Sequence, residues 1–390
     1  MQNCNVPDSI NKIWIKIPHK IKATFFSCFI TGLITHFFVL TNHLPNHDYV
    51  SELFTKMDKL DQGRWFLAYP CALSSTFSMP WVNGILAIAY ISAAACLVVS
   101  LLKIDKTIYC ALVSVIMITF PVMACSFLFM FSADGVAFCI MLSCLAAFLA
   151  ERYKFGYLYA IVPLTLSLGG YQAEFGVAAG LFILILITEI LRGETHWKKT
   201  LFKGVRFLGT LAASIITYFV VVKLTTQSSG LSAYKGIDEM GQISLSEMPR
   251  LIVRAYGSIA AYFLLDWRDL HYSFMPVVFA MSFFACTVLL VMLCIKKKIH
   301  KEPVKLICLI ALLILFPLGC NVVYLMASVW AHLLMIYGTV LVPVFLLTVA
   351  DQFTIHNSQL RNGAKLINQR ANGFRLFKMC YVSSLHWRLF

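Results

Sequence analysis

Apolar residues in this chain neither alternate with polar ones nor recur every third or fourth position. They come in runs of roughly twenty, near residues 22–41, 81–102, 107–131, 135–150, 155–170, 174–191, 206–224, 273–295, 304–327 and 332–350. A hydrocarbon core of ~30 Å needs about 20 helical residues to cross it. A spanning segment must also satisfy its own backbone, which a helix does internally. The pattern predicts an all-α polytopic membrane protein with about ten transmembrane helices. The run 251–265 is shorter, carries Arg254, and reads as an interfacial or re-entrant helix. Around this membrane domain, 22–350, the chain places a polar segment, 1–21, and a basic tail, 351–390, too polar to cross again. The first run reads as an uncleaved anchor rather than a signal peptide.

Composition agrees. Hydrophobic residues make up 60% of the chain and charged ones 13%, with a mean hydropathy of +0.79. That charged share is roughly half of what soluble domains carry, so a water-soluble globule would expose large apolar patches. The net charge of +14 does not point to nucleic acid, because of where it falls. With the N-terminus inside, three quarters of the basic residues lie on the cytoplasmic side, in stretches such as "KKKIHK" at 296–301, while most acids lie outside. Basic loops stay on the cytoplasmic side and contact anionic lipid heads. This assignment holds only if 251–265 does not cross. The cysteines lie mostly within apolar runs, make no C-x-x-C pair, and read as small buried hydrophobes.

On this topology the candidate chemistry gathers outside, in the loops 42–80, 126–134, 169–174 and 225–272. The first carries Asp48, Glu52, Asp58, Asp61, Arg64 and Trp65. The second has Asp134 at the mouth of the next helix. The third sets Tyr171, Gln172 and Glu174 at a Gly-Gly turn, and the fourth holds Trp267 and Arg268 in "DWRDLHY". Each acid also has a plainer reading: Asp134 as a cap and dipole partner of its helix, Glu174 as a solvated helix end, the others as wet loop charges. Glu189, near the inner end of its run, reads as snorkelling to the interface.

Several carboxylates and an arginine on the outer face suit glycosyl transfer from a lipid-linked sugar. A hydroxyl acceptor needs a carboxylate to take its proton, and a guanidinium holds a leaving phosphate through paired hydrogen bonds. Trp65, Tyr171 and Trp267 offer flat surfaces to a sugar or an isoprenoid chain. A transporter or lipid-linked sugar flippase is the competing reading, although ionisable groups are scarce within the runs and no transporter-type repeat is evident. A non-catalytic assembly scaffold is a third. The outer carboxylates would suit a divalent cation, but no spacing demands one, and no metal or other cofactor is expected.

Four stretches in order carry a resemblance: "NHD" at 46–48; "GRWF" at 63–66 followed by "SSTFSMPWVNGIL" at 74–86; "FSADGVAF" at 131–138; and "LSLGGYQAEF" at 166–175. Together they resemble the GtrII-like glucosyltransferase family, membrane proteins that glucosylate bacterial O-antigen or other surface polysaccharide. The resemblance implies a GT-C-like bundle whose outer loops form the active site of an inverting glucosyltransferase. Its implied donor is polyprenyl-phosphate glucose, its acceptor a surface polysaccharide. Its implied place is the bacterial cytoplasmic membrane, termini inside and active site periplasmic, beside a small flippase and a donor-charging enzyme. By position, Asp48 is then the general base and Asp134 the second acid, orienting acceptor or phosphate. Arg64 is the phosphate contact, with His47, Trp65, Tyr171, Gln172 and Arg268 as further substrate contacts. Glu174 departs from the family, whose members more often carry an apolar or aromatic residue there.

Overall fold

The computed structural model describes residues 14–44, 46, 48, 59–74, 78–193, 195–226, 244, 246–265, 274–326 and 331–357; among these there are helices and turns and no strand. The main helices are α1 (His19–Thr35), α2 (Pro80–Leu101), α3 (Thr107–Thr119), α4 (Pro121–Phe127), α5 (Met130–Arg152) and α6 (Ile161–Gly170). They continue with α7 (Phe175–Arg192), α8 (Trp197–Thr225), α9 (Met248–Leu264), α10 (Met275–Lys296) and α11 (Pro303–Cys320). A final helical run, α12 (Tyr337–Asn357), closes the described chain. Proline opens α2, α4, α9, α10 and α11 in the first turn, where its missing N–H costs nothing.

Among the described residues seven helices are long and apolar enough to cross a membrane, and an eighth span results if α3 and α4 count as one; α1 is not one of them. The ten apolar runs are helical over most of their described residues, but several are interrupted, the ninth by a turn at Asn321 and the tenth by opening as 3-10 turns. The first breaks at His36, after which Phe37–Thr41 forms a short helix. The fifth is short, Gly156–Gly170. The third bends by 44° between α3 and α4, because Pro121 has no N–H with which to continue α3. The carbonyls exposed there find partners on distant segments: Met117 O accepts from the Tyr337 hydroxyl at 2.9 Å, and Ile118 O lies 3.0 Å from His36 Nε2. Such internal satisfaction is what lets a broken helix persist away from water. The helical run α12 continues through Asn357, past residue 350.

Within the bundle α2 packs along α5, α1 against α2 and α3, and α6 against α5 and α8. Helix α7, apolar all round, is buried on nearly every side. Equally apolar α10 buries little more than Cys286 and Leu293, packing chiefly on α9.

The bundle has two chemically distinct ends, joined by the 23 residues of α5, roughly 35 Å of helix. At the Arg152 end, Lys20 pairs with Asp105, and Arg192 donates to the carbonyls of Leu102 and Lys103. There the Asp351 carboxylate accepts from the backbone N–H groups of Asp105 and Lys106. Glu189, expected to snorkel, instead pairs with Lys203, which also binds Glu151 at 3.0 Å. Two acids sharing one cation hold three helices together. The Met130 end carries the candidate chemistry.

Candidate active site

Residues 59–66 lie against the bundle as a compact turn. Leu60–Gln62 makes one 3-10 turn, closed by the Gly63 N–H on Leu60 O at 2.9 Å and the Arg64 N–H on Lys59 O at 3.0 Å. Gly63 sits at φ 68°, in the left-handed region that side chains with a Cβ adopt at a cost. That reversal delivers Arg64, Trp65 and Phe66 to the end of α6.

There "GGYQAE" receives them. Gly169 and Gly170 end α6, rather than forming a loop, and Gln172–Glu174 makes a 3-10 turn into α7. Trp65 lies flat against Gly169, where a Cβ would strike the indole ring. The Phe66 N–H donates to Gly169 O at 2.7 Å. The Arg64 guanidinium carbon stands 4.8 Å from the Tyr171 ring centroid, and the buried Arg64 Nε has no hydrogen-bond partner among the described residues. Gln172 Nε2 donates to Gln62 O at 2.7 Å and to the Tyr218 hydroxyl at 3.0 Å. Arg64, Trp65, Tyr171 and Gln172, four of the residues expected in the site, therefore form one cluster.

Asp134 is placed differently from expectation. The loop 126–134 is mostly helix, α4 giving way to α5 across Leu128 and Phe129. Asp134 stands one turn inside α5, so Phe129 occupies the cap position. It is 0% exposed. One oxygen accepts from Asn83 Nδ2 at 3.4 Å, and the other has no partner among the described residues. Asn83 also donates to Ser74 Oγ at 2.9 Å and accepts from the Met79 N–H at 2.8 Å. The Asp134–Asn83 network thereby ties α2 and α5 to the segment that follows the Arg64 turn.

Asp48 is half-buried at the same end. Its N–H donates to Asn46 Oδ1 at 3.2 Å, and Asn46 Nδ2 reaches Leu128 O at 3.4 Å, where α4 meets α5. His47 and Arg268, with Glu52, Asp58 and Trp267, lie outside the described residues.

Glu174 is no solvated helix end. It is 1% exposed, and neither carboxylate oxygen has a hydrogen-bond partner among the described residues. Its backbone carbonyl accepts from Ser143 Oγ at 2.9 Å, linking the turn to α5.

Two residues were not singled out from sequence: Tyr218, on α8, and Asn83, on α2. Each is a hydrogen-bonding side chain inside a long apolar run, "SIITYFVVV" and "PWVNGIL". An isolated polar group at such a position needs a partner inside the protein, and that is the signal that would have found them. Among the described residues no three His, Cys, Asp or Glu side chains gather as a cation site would require.

The arrangement presents a cation backed by an aromatic face, a half-exposed carboxylate, and a buried polar network at one end of an apolar bundle. A family model described as "Glucosyl transferase GtrII" matches residues 37–343, which contain every one of these groups. No curated protein and no solved structure matches.

Proposed function

Because the chain belongs to the GtrII glucosyl transferase family, a family of membrane glucosyltransferases, we propose that it transfers glucose from polyprenyl-phosphate glucose to a surface polysaccharide of the O-antigen type. Transfer takes place on the periplasmic face of the bacterial cytoplasmic membrane, with both termini inside. A small flippase and a cytoplasmic donor-charging enzyme supply the substrate.

One observation carries this reading: the connection between α1 and α2 brings Arg64 over Tyr171 at one end of the bundle. A polyprenyl chain lies in the hydrocarbon and its phosphate at the interface, so a phosphate contact belongs at a bundle end. Arg64 holds the phosphate as negative charge develops on it, and a guanidinium offers two parallel donors for that purpose. The acceptor hydroxyl attacks the anomeric carbon from the face opposite the phosphate. The new C–O bond forms as the bond to phosphate breaks, the hydroxyl proton passes to Asp48, and the configuration inverts. Half-exposed Asp48 can meet an acceptor arriving from water. Buried Asp134 acts as a positioning residue through Asn83. No metal is required in this scheme.

The test is transfer of labelled glucose from polyprenyl-phosphate glucose to isolated surface polysaccharide in membrane vesicles. Asp48→Asn is expected to abolish transfer while the protein still inserts and still binds donor. Undiminished transfer would remove Asp48 as the base, and absence of transfer by the parent chain would remove the donor assignment.

A further inference from the structure

Gln172 and Tyr218 belong to different elements, yet their side chains meet directly beneath the Arg64 turn. A carbonyl only accepts, so the amide group facing Gln62 O must be the NH₂ of Gln172, which fixes the orientation of the side chain. Its two hydrogens are then committed, one to Gln62 O and one to the Tyr218 hydroxyl. Gln62 precedes Gly63, and a Cβ added at Gly63 would collide with that same hydroxyl. Tyr218 is almost fully buried in a cluster with Leu168, Phe175 and Trp65 around it, so its hydroxyl is a fixed point. The neighbour of Gln172, Tyr171, is the ring over which Arg64 lies. Gln172 thus holds the backbone leading into Arg64, while the adjacent residue holds its side chain.

We propose that Tyr218 and Gln172 form a positioning clamp that sets the Arg64 guanidinium to receive the donor phosphate. The inference rests on the reading of Arg64 as the phosphate contact. It assigns Gln172 to holding the protein rather than touching the sugar, and it adds Tyr218 to the machinery. Local hydrogen bonds close the 60–63 turn, but they do not dock it on the bundle. Among the described residues, the Phe66 N–H on Gly169 O and the Gln172 amide on Gln62 O are polar ties that do so. Removing the Tyr218 hydroxyl leaves one amide hydrogen buried without an acceptor. The turn then loosens at Gln62, two residues before Arg64.

Binding of polyprenyl-phosphate glucose to the purified full chain in nanodiscs tests this without an acceptor. Tyr218→Phe, which keeps the ring, is expected to raise the donor Kd about three- to tenfold. Gln172→Met, similar in length but without N–H groups, is expected to act in the same direction. Arg64→Ala is expected to lose at least as much, and Arg64→Ala with Tyr218→Phe to lose no more than Arg64→Ala alone. A parental Kd in Tyr218→Phe and Gln172→Met beside a loss in Arg64→Ala overturns the clamp and leaves the phosphate reading standing. Losses that add in the double variant also overturn it, because Tyr218 would then act independently of Arg64. A parental Kd in Arg64→Ala overturns the phosphate reading itself.

Discussion

Arg64 stacks over Tyr171 with 4.8 Å between the guanidinium carbon and the ring centroid, joining the first polar connection of the chain to the turn between α6 and α7. Desolvated cation–aromatic contacts contribute about 1–2 kcal/mol, so the ring sets both the position and the strength of the cation. Tyr171→Phe, which preserves the face, should leave the donor KM close to parental. Tyr171→Leu should raise it roughly fivefold or more, and Arg64→Lys, which lacks the planar fork, about tenfold. Steady-state transfer at varied donor concentration checks all three.

Gly169 admits Trp65 because it has no side chain. Gly169→Val should overpack this contact and cost about 1–3 kcal/mol. It should lower the thermal unfolding midpoint in detergent and depress transfer together. Trp65→Leu in the Gly169→Val chain should recover much of the stability.

Lys203 sits between Glu151 and Glu189 at the opposite end of the bundle, with both acids nearly buried. Lys203→Met should leave two carboxylates without a cation and destabilise the protein by about 3 kcal/mol. Adding Glu151→Gln and Glu189→Gln should restore most of that loss. The thermal midpoint reads the effect, and the donor KM should stay unchanged because the site is a helix length away.

Asp61 and Lys297 lie on opposite ends of the chain's charge distribution. A cysteine at position 61 should react with a membrane-impermeant maleimide in intact cells, and one at position 297 only after the membrane is opened. The reverse result would move the site to the cytoplasm. Among the described residues most cysteines are buried and add little background.

Hydropathy marks where the chain is helical, since each apolar run is mostly helix among the described residues, but not which helices are central. "FGVAAGLFILILITEILR" and "MPVVFAMSFFACTVLLVMLCIK" look alike in composition, yet the first is enclosed and the second mostly faces outward. Lipid and protein interior are both apolar, so the sequence has no alternation to separate them. Arg64, Trp65, Tyr171 and Gln172 could be picked out because polar and aromatic residues are conspicuous at the ends of apolar runs. Their assembly depends on Gly63 and Gly169, whose roles exist only once two distant segments touch. Charge marks the end of an apolar run, so the sequence pattern alone sets Asp134 in a loop. The structure keeps it within a helix by giving it Asn83, a residue of another helix that spacing along the chain cannot pair with it.

The bend at Pro121 has a consequence for how the chain is made. The Met117 carbonyl is hydrogen-bonded by Tyr337, 220 residues further on. At a synthesis rate of about 5–20 residues per second, that partner emerges on the order of ten to forty seconds after the kink has entered the bilayer. The early helices must therefore wait in lipid with a joint still open, and the last helix seals it on arrival. Chains that stop short of residue 337 would leave the translocon with that joint unsealed, which makes the final span a checkpoint for complete assembly.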